Sequence, residues 1–222
     1  MPSPANIISL AAVREALATR FPEAAPLPQR HWATGWDEID ALEGGLPHNV
    51  VTELCSSPGC GGFFLHRVLS ALQVQRGLAA LIDGGRSFDP GSYDATVFSR
   101  LLTVFCETPE QSVKVTDLLL RDGNLPLVLL DLQTMPLRRI GRIPASTWHR
   151  FQRLVERSGT ALVVMTPQPI VEAARMRITL RASWNLSALT QPRGELCESL
   201  QAQVYRRGRQ IQSMEEVHVR TA

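Results

Sequence analysis

The stretch from Val50 to Gln75 constrains the fold of this chain more than any other. Val50-Val51-Thr52-Glu53-Leu54 is a strand-like run, a glycine-rich turn follows, and Phe63 to Gln75 reads as a helix. Strand, glycine turn and helix in that order frame a phosphate cradle, in which backbone N–H groups at the helix start face an anion. A working cradle of this kind reads G-x-x-x-x-G-K-[ST]. Here Ser56 stands at the first glycine, Gly61 keeps the second, Gly62 replaces the lysine and Phe63 replaces the hydroxyl residue. The ammonium that neutralises the terminal phosphates is missing, and so is the hydroxyl that holds Mg²⁺. The chain's single lysine, Lys114, lies far along the sequence. Gly59, Gly61 and Gly62 are left with two readings: a backbone nest for an anion, or a tight strand-to-helix turn.

A chain of 222 residues is long enough for one domain with a sizeable core. Its hydrophobic fraction of 44% and charged fraction of 20% suit an ordinary globule. A net charge of +2 assigns no class of partner. The basic residues are nearly all arginine, which suits phosphate and carboxylate contacts. Cys55, Cys60, Cys106 and Cys197 show no C-x-x-C spacing, and His31, His48, His66, His149 and His218 show no ligand spacing. Reduced thiols and no metal are therefore expected. There is no basic, then apolar, leader pattern and no run of 18 apolar residues, so a soluble cytoplasmic protein is expected.

Residues 7–21 read as an amphipathic helix, with Leu10, Val13, Leu17 and Phe21 on one face. Pro22, Pro26 and Pro28 make an extended strap after it. Residues 1–30 are thus set apart as a helix and linker, and 31–222 as the core domain. The helix either grips another protein or folds back on its own core. From His31 onwards strand and helix patterns alternate. A short helix is expected over Trp36 to Leu42, ended by the turn Gly44-Gly45-Leu46-Pro47. Strands are expected at 78–83, 101–105, 127–131 and 161–165, with helices around 91–98, 109–120 and 146–157. Thr108 is the expected cap of the helix that begins at Pro109. This alternation implies a mostly parallel sheet covered by helices on both faces. Residues 169–176 read as helix-like. Segments 177–189 and 198–206, joined by a turn at Gln191-Pro192-Arg193-Gly194, read as an antiparallel hairpin.

In order and spacing, several segments resemble the core of RecA-type recombinases over nearly the whole chain. They are Leu10–Val13, Thr34-Gly35 through Asp40, Gly44–Pro47, Leu81–Asp83 with Phe88–Pro90, Thr108–Gln111, Val128–Asp131 and Arg181–Ser183. The resemblance implies a RecA-like α/β core with the sheet just described, and makes Asp131 the counterpart of the Walker B aspartate. It also shows departures. Gly62 and Phe63 replace the loop lysine and hydroxyl. Gly85 stands where the family carries the acidic residue that activates water. Pro167 falls near the family's γ-phosphate-sensing glutamine. The expectation is a pseudo-ATPase with no cofactor, in which Asp131 is a relic or a structural cap.

Among RecA relatives the pattern is most similar to ImuA-type mutagenesis proteins. These work with ImuB, a Y-family-like polymerase homologue, and with an error-prone polymerase in translesion synthesis. The resemblance implies a non-catalytic adaptor of the DNA damage response, with those polymerases and RecA as partners and with self-association through the N-terminal helix. One alternative is a division inhibitor like SulA, which lacks the loop and binds FtsZ. Another is a weak ATPase or DNA-binding module with an unconventional site. Arg138, Arg139 and Arg142 cluster without a nearby acid in the segment matching the family's first DNA loop, where they suit a phosphate backbone, an acidic protein partner or plain solvation. The segment matching the second DNA loop is too short for strand exchange. Arg206, Arg207 and Arg209 end the last hairpin, where the family places basic residues that reach a neighbouring protomer's nucleotide; without a competent nucleotide site, a solvated charged end is the favoured reading.

Overall fold

The computed structural model describes residues 30–211, apart from positions 58, 183, 185, 207 and 208. The expected helix carrying Leu10, Val13, Leu17 and Phe21 lies outside the described residues, as does Arg207. In chain order the elements begin with β1 (His31–Trp32), α1 (Asp37–Glu43), β2 (Leu46–Pro47), β3 (Val51–Ser56), α2 (Cys60–Gln75) and β4 (Ala79–Asp83). Next come β5 (Leu101–Phe105), α3 (Pro109–Asp122), β6 (Leu127–Asp131), α4 (Leu137–Ile140), α5 (Ala145–Ser158) and β7 (Ala161–Thr166). The chain closes with β8 (Met176–Arg181), α6 (Arg193–Glu198), β9 (Gln201–Arg206) and β10 (Arg209–Ile211).

Eight strands form one sheet in the order β10-β9-β8-β3-β7-β6-β4-β5. The pairings from β8 through β5 are parallel, whereas β8–β9 and β9–β10 are antiparallel. Every residue of β3, β4, β6 and β7 is buried, which is why these strands read as continuous apolar runs. The pleat sends alternate residues to two cores. Leu54, Leu81, Leu129 and Val163 face α2 through Phe64, Leu65, Leu69 and Leu72. Val51, Ile82, Val128, Leu130 and Val164 face Trp148, Phe151 and Val155 of α5, with Leu120 of α3 beside them. The α/β class, the helices on both faces and the C-terminal antiparallel hairpin agree with the sequence expectation.

Local caps follow the sequence too. Thr108 Oγ1 accepts from the N–H of Gln111 at 3.2 Å, and Pro109 sits at the first position of α3. Gly123 and Gly159 end α3 and α5 in the left-handed conformation.

Five expectations need correction. The helix expected around 91–98 is two short 3₁₀ turns, Pro90–Ser92 and Ala95–Ser99, because Asp89 and Asp94 cap them at once, accepting from the N–H groups of Gly91 and Thr96. Leu46-Pro47 is not only a turn: it pairs antiparallel with His31-Trp32. Residues 169–175 form no helix, since the chain there wraps the Glu53 carboxylate. The strand expected over 177–189 stops at Arg181, and Leu186–Thr190 is a 3₁₀ turn. The turn expected at Gln191–Gly194 opens α6, which starts after Pro192 and buries Leu196 and Cys197.

Candidate functional site

The parallel strands end together on one side of the sheet, where ligand crevices of α/β proteins form. Ser56 closes β3 and is buried. Gly59, with φ at 85°, precedes α2 in a conformation that favours glycine. Gly61 is buried in the first turn of α2, while Gly62 is exposed and Phe63 half-buried. The Phe63 ring meets Trp184 edge-on, with centroids 4.8 Å apart. Asp131 ends β6 directly beside Asp83, its register partner at the end of β4. Ser56, Gly59, Gly62, Phe63 and Asp131 line one cavity of about 620 Å³, together with Phe88, Tyr93, Gln133 and Arg193. The structure therefore brings the altered loop and Asp131 to one place.

Two residues just beyond β6 fill the centre of this arrangement. Gln133 donates from its side-chain amide to Ser56 Oγ at 2.5 Å. A Cβ built on Gly61 overlaps the Gln133 carboxamide, and a Cβ on Gly85 overlaps Thr134 Oγ1. Gln133 thus lies over the first turn of α2, where the cradle frame directs an anion. Thr134 takes the space a side chain at position 85 needs. Sequence reasoning assigned Gln133 no role at the cradle.

The electrostatics follow from burial. Burial pushes the Asp131 carboxyl up to about 6; the N–H of Gln133 and the Ser87 hydroxyl counter it, and neighbouring Asp83 adds to it. Asp83, fully buried, accepts from the N–H groups of Gly85, Ser87 and Phe88 at 3.1, 3.1 and 2.9 Å. This shapes the turn after β4. Burial also raises the Tyr93 phenol to about 12, although the Arg193 guanidinium 5.8 Å above its ring pulls the other way. Arg193 is the one cation among the described residues lining the cavity, and it donates to the Ser92 carbonyl at 3.0 Å.

The residues present do not fit a magnesium–triphosphate group. The loop offers neither ammonium nor hydroxyl at positions 62 and 63. Gln133 packs against Gly61 beside the altered loop, and burial favours the neutral form of Asp131. Pro167, near the family's sensor position, lines the same cavity with no side-chain hydrogen-bonding group.

The arginine cluster lies apart from this cavity. Arg138 and Arg139 are on the short helix α4, which Pro136 begins and which buried Met135 and Ile140 anchor; Arg142 follows it. The segment is an anchored helical turn where the sequence suggested an open loop, and all three arginines are exposed. Arg139 lines a recess of about 320 Å³ with Gly85, Arg86 and Glu107.

Sequence reasoning also missed the role of Glu53. Its side chain is fully buried and its Oε1 accepts from Thr166 Oγ1, Ile170 N and Val171 N at 3.0, 2.7 and 3.0 Å. Oε2 accepts from Arg177 Nε at 2.8 Å, and Arg177 Nη2 lies 2.7 Å from it in an ion pair. An acid in the middle of an apolar strand was the available signal. Among the described residues no group of three or more His, Cys, Asp or Glu is placed to hold a metal ion. No described helix is long and apolar enough to cross a membrane.

No family model matches the chain. Over 93 residues, 40% of its length, it is 37% identical to RecA of Kineococcus radiotolerans. It is 32% identical over 91 residues to RecA of Thioalkalivibrio sulfidiphilus and 33% identical over 93 residues to RecA of Chlorobaculum tepidum. Each match takes in 26% of the relative's length, so the chain spans about a quarter of the RecA proteins it matches. Similarity over this stretch, together with the α/β sheet and its C-terminal antiparallel hairpin, establishes a RecA-like relationship for the chain.

Proposed function

We propose that this protein is a RecA-like adaptor that does not turn over ATP and that supports error-prone translesion synthesis in the DNA damage response. The observation that carries the reading is the Gln133 side chain seated over the first turn of α2 and bonded to Ser56, beside a loop with Gly62 and Phe63 in the two reactive positions. A recombinase-shaped domain whose altered loop is tied to its own glutamine side chain is suited to contact and not to cycling. The partners proposed are a Y-family-like polymerase homologue, an error-prone polymerase and RecA. Leu10, Val13, Leu17 and Phe21 are proposed as the apolar face that engages a partner or a second copy, and Arg138, Arg139 and Arg142 as a DNA or partner contact.

The test has two arms. Purified protein is assayed for ATP binding and for DNA-stimulated hydrolysis; neither is expected, and turnover abolished by a change in residues 56–63 overturns the non-catalytic reading. Affinity capture from DNA-damaged cells is expected to recover a polymerase subunit or RecA. Recovery of FtsZ in their place assigns the protein to cell-division control.

A further inference from the structure

A second feature lies on the face of the sheet covered by α3 and α5, which pack against each other. Arg150, Arg153, Leu154 and Arg157 fall at helical spacing along one side of α5. Lys114, Asp117, Leu118 and Arg121 do the same on α3. Between the helices, Arg121, Arg150, Arg153, Leu154 and Arg157 line a groove of about 230 Å³.

The charge in the groove is one-sided. Among the described residues no acid lines it; Asp117 beside it accepts from Arg121 Nε at 2.6 Å. Arg150 Nε lies 2.8 Å from Asp117 Oδ1, at an angle that falls short of a hydrogen bond. Among the described residues Arg153 and Arg157 are exposed and have no ion-pair partner. Two guanidinium forks therefore stand free beside two others that share one carboxylate.

We propose that this groove docks an acidic amphipathic protein segment, one that sets carboxylates on either side of an apolar side chain. Guanidinium forks match carboxylates with two parallel hydrogen bonds. The floor is half-buried Leu154, and Leu118 on the facing helix is 66% exposed. An apolar anchor on the partner covers Leu154, which a phosphodiester backbone does not. Proteins that hold single-stranded nucleic acid stack its bases on aromatic rings, and no aromatic residue lines this groove. The groove is distinct from the cradle and from the Arg138–Arg142 segment, so the inference does not rest on the proposed function.

The probe is a fluorescently labelled helical peptide of glutamates with leucines at helical spacing, followed by anisotropy. The parent protein is expected to bind it with an affinity that falls as salt rises. Arg153→Glu with Arg157→Glu is expected to weaken binding by about tenfold or more. Arg30→Glu with Arg181→Glu, two exposed arginines away from the groove, is expected to leave binding unchanged, and so identifies the groove as the site. A peptide with lysine in place of glutamate is expected to bind the Arg153→Glu, Arg157→Glu variant better than the parent, which separates charge recognition from loss of fold. Absence of peptide binding by the parent, or equal binding by the charge-swapped variant, overturns the proposal. So does tighter binding of oligodeoxythymidine than of peptide with the same dependence on Arg153 and Arg157, which reassigns the groove to nucleic acid.

Discussion

The Gln133 amide reaches Ser56 Oγ across the end of β7, tying the segment after β6 to the last residue of β3. The same carboxamide rests on Gly61, so the bond and the packing contact fix one another. A side chain clamped in this way fixes one wall of the cavity at the strand ends.

Gly61→Ala is expected to destabilise the domain by roughly 1–3 kcal/mol, because the added methyl forces the carboxamide aside. Gln133→Ala alone loses the Ser56 bond and costs about 1 kcal/mol. Combining the two removes the clash, so the double variant should recover about 1 kcal/mol relative to the sum. Urea unfolding of all four proteins measures this coupling, and strict additivity contradicts the contact.

Asp131 makes a prediction about pH. Its carboxyl titrates at about 6 in the folded protein and nearer 4 when unfolded. Between those values the folded state holds the extra proton, so stability falls as pH rises from about 4 to 6 and then levels. The cost of the buried charge at neutral pH is roughly 3 kcal/mol. Asp131→Asn keeps an acceptor for the Gln133 N–H, and is expected to raise stability at about pH 7 by 1–3 kcal/mol. It should also flatten the slope, which thermal melts across pH would record. A variant less stable than the parent at neutral pH shows that the ionised form is needed.

Breaking the Glu53–Arg177 pair from one side is expected to be costly. Arg177→Met leaves a fully buried carboxylate without its cation and should cost about 3 kcal/mol. Glu53→Gln in the same chain removes that charge and should restore part of the loss. Denaturant midpoints decide this, and a single variant as stable as the parent would show that the pair is solvated.

For Arg138, Arg139 and Arg142 the prediction concerns salt. If all three track a single strand, the triple alanine variant loses a slope of about 2 in log affinity against log salt. The fold should survive, since α4 is held by buried Ile140 and the arginines are exposed. A variant that binds DNA like the parent but no longer captures its protein partner assigns the segment to protein recognition.

The sheet was legible because β4, β6 and β7 are apolar on both faces and the helices between them are capped where Thr108 and Gly159 say. The hairpin was legible only in outline. Pro192 and the buried pair Leu196 and Cys197 turn its connection into a helix, and burial of that kind has no local signature. At the site, the missing lysine and hydroxyl could be read from spacing alone. The Gln133–Ser56 bond could not, because it joins residues brought together only when β7 is laid between β3 and β6. Nor could the arginine groove, whose two halves lie on separate helices, although Arg150, Arg153 and Arg157 already share one helical face.

The Glu53 carboxylate has a further consequence. From Thr166 to Arg177 the chain circles one oxygen pair, bonded to it through side chains at both ends and through backbone N–H groups in the middle. The amide protons of Ile170 and Val171 should then exchange with solvent as slowly as those of a strand, and a protease should find no purchase between them. The segment is riveted in place, and a surface built on a rivet presents the same shape whether or not anything is bound.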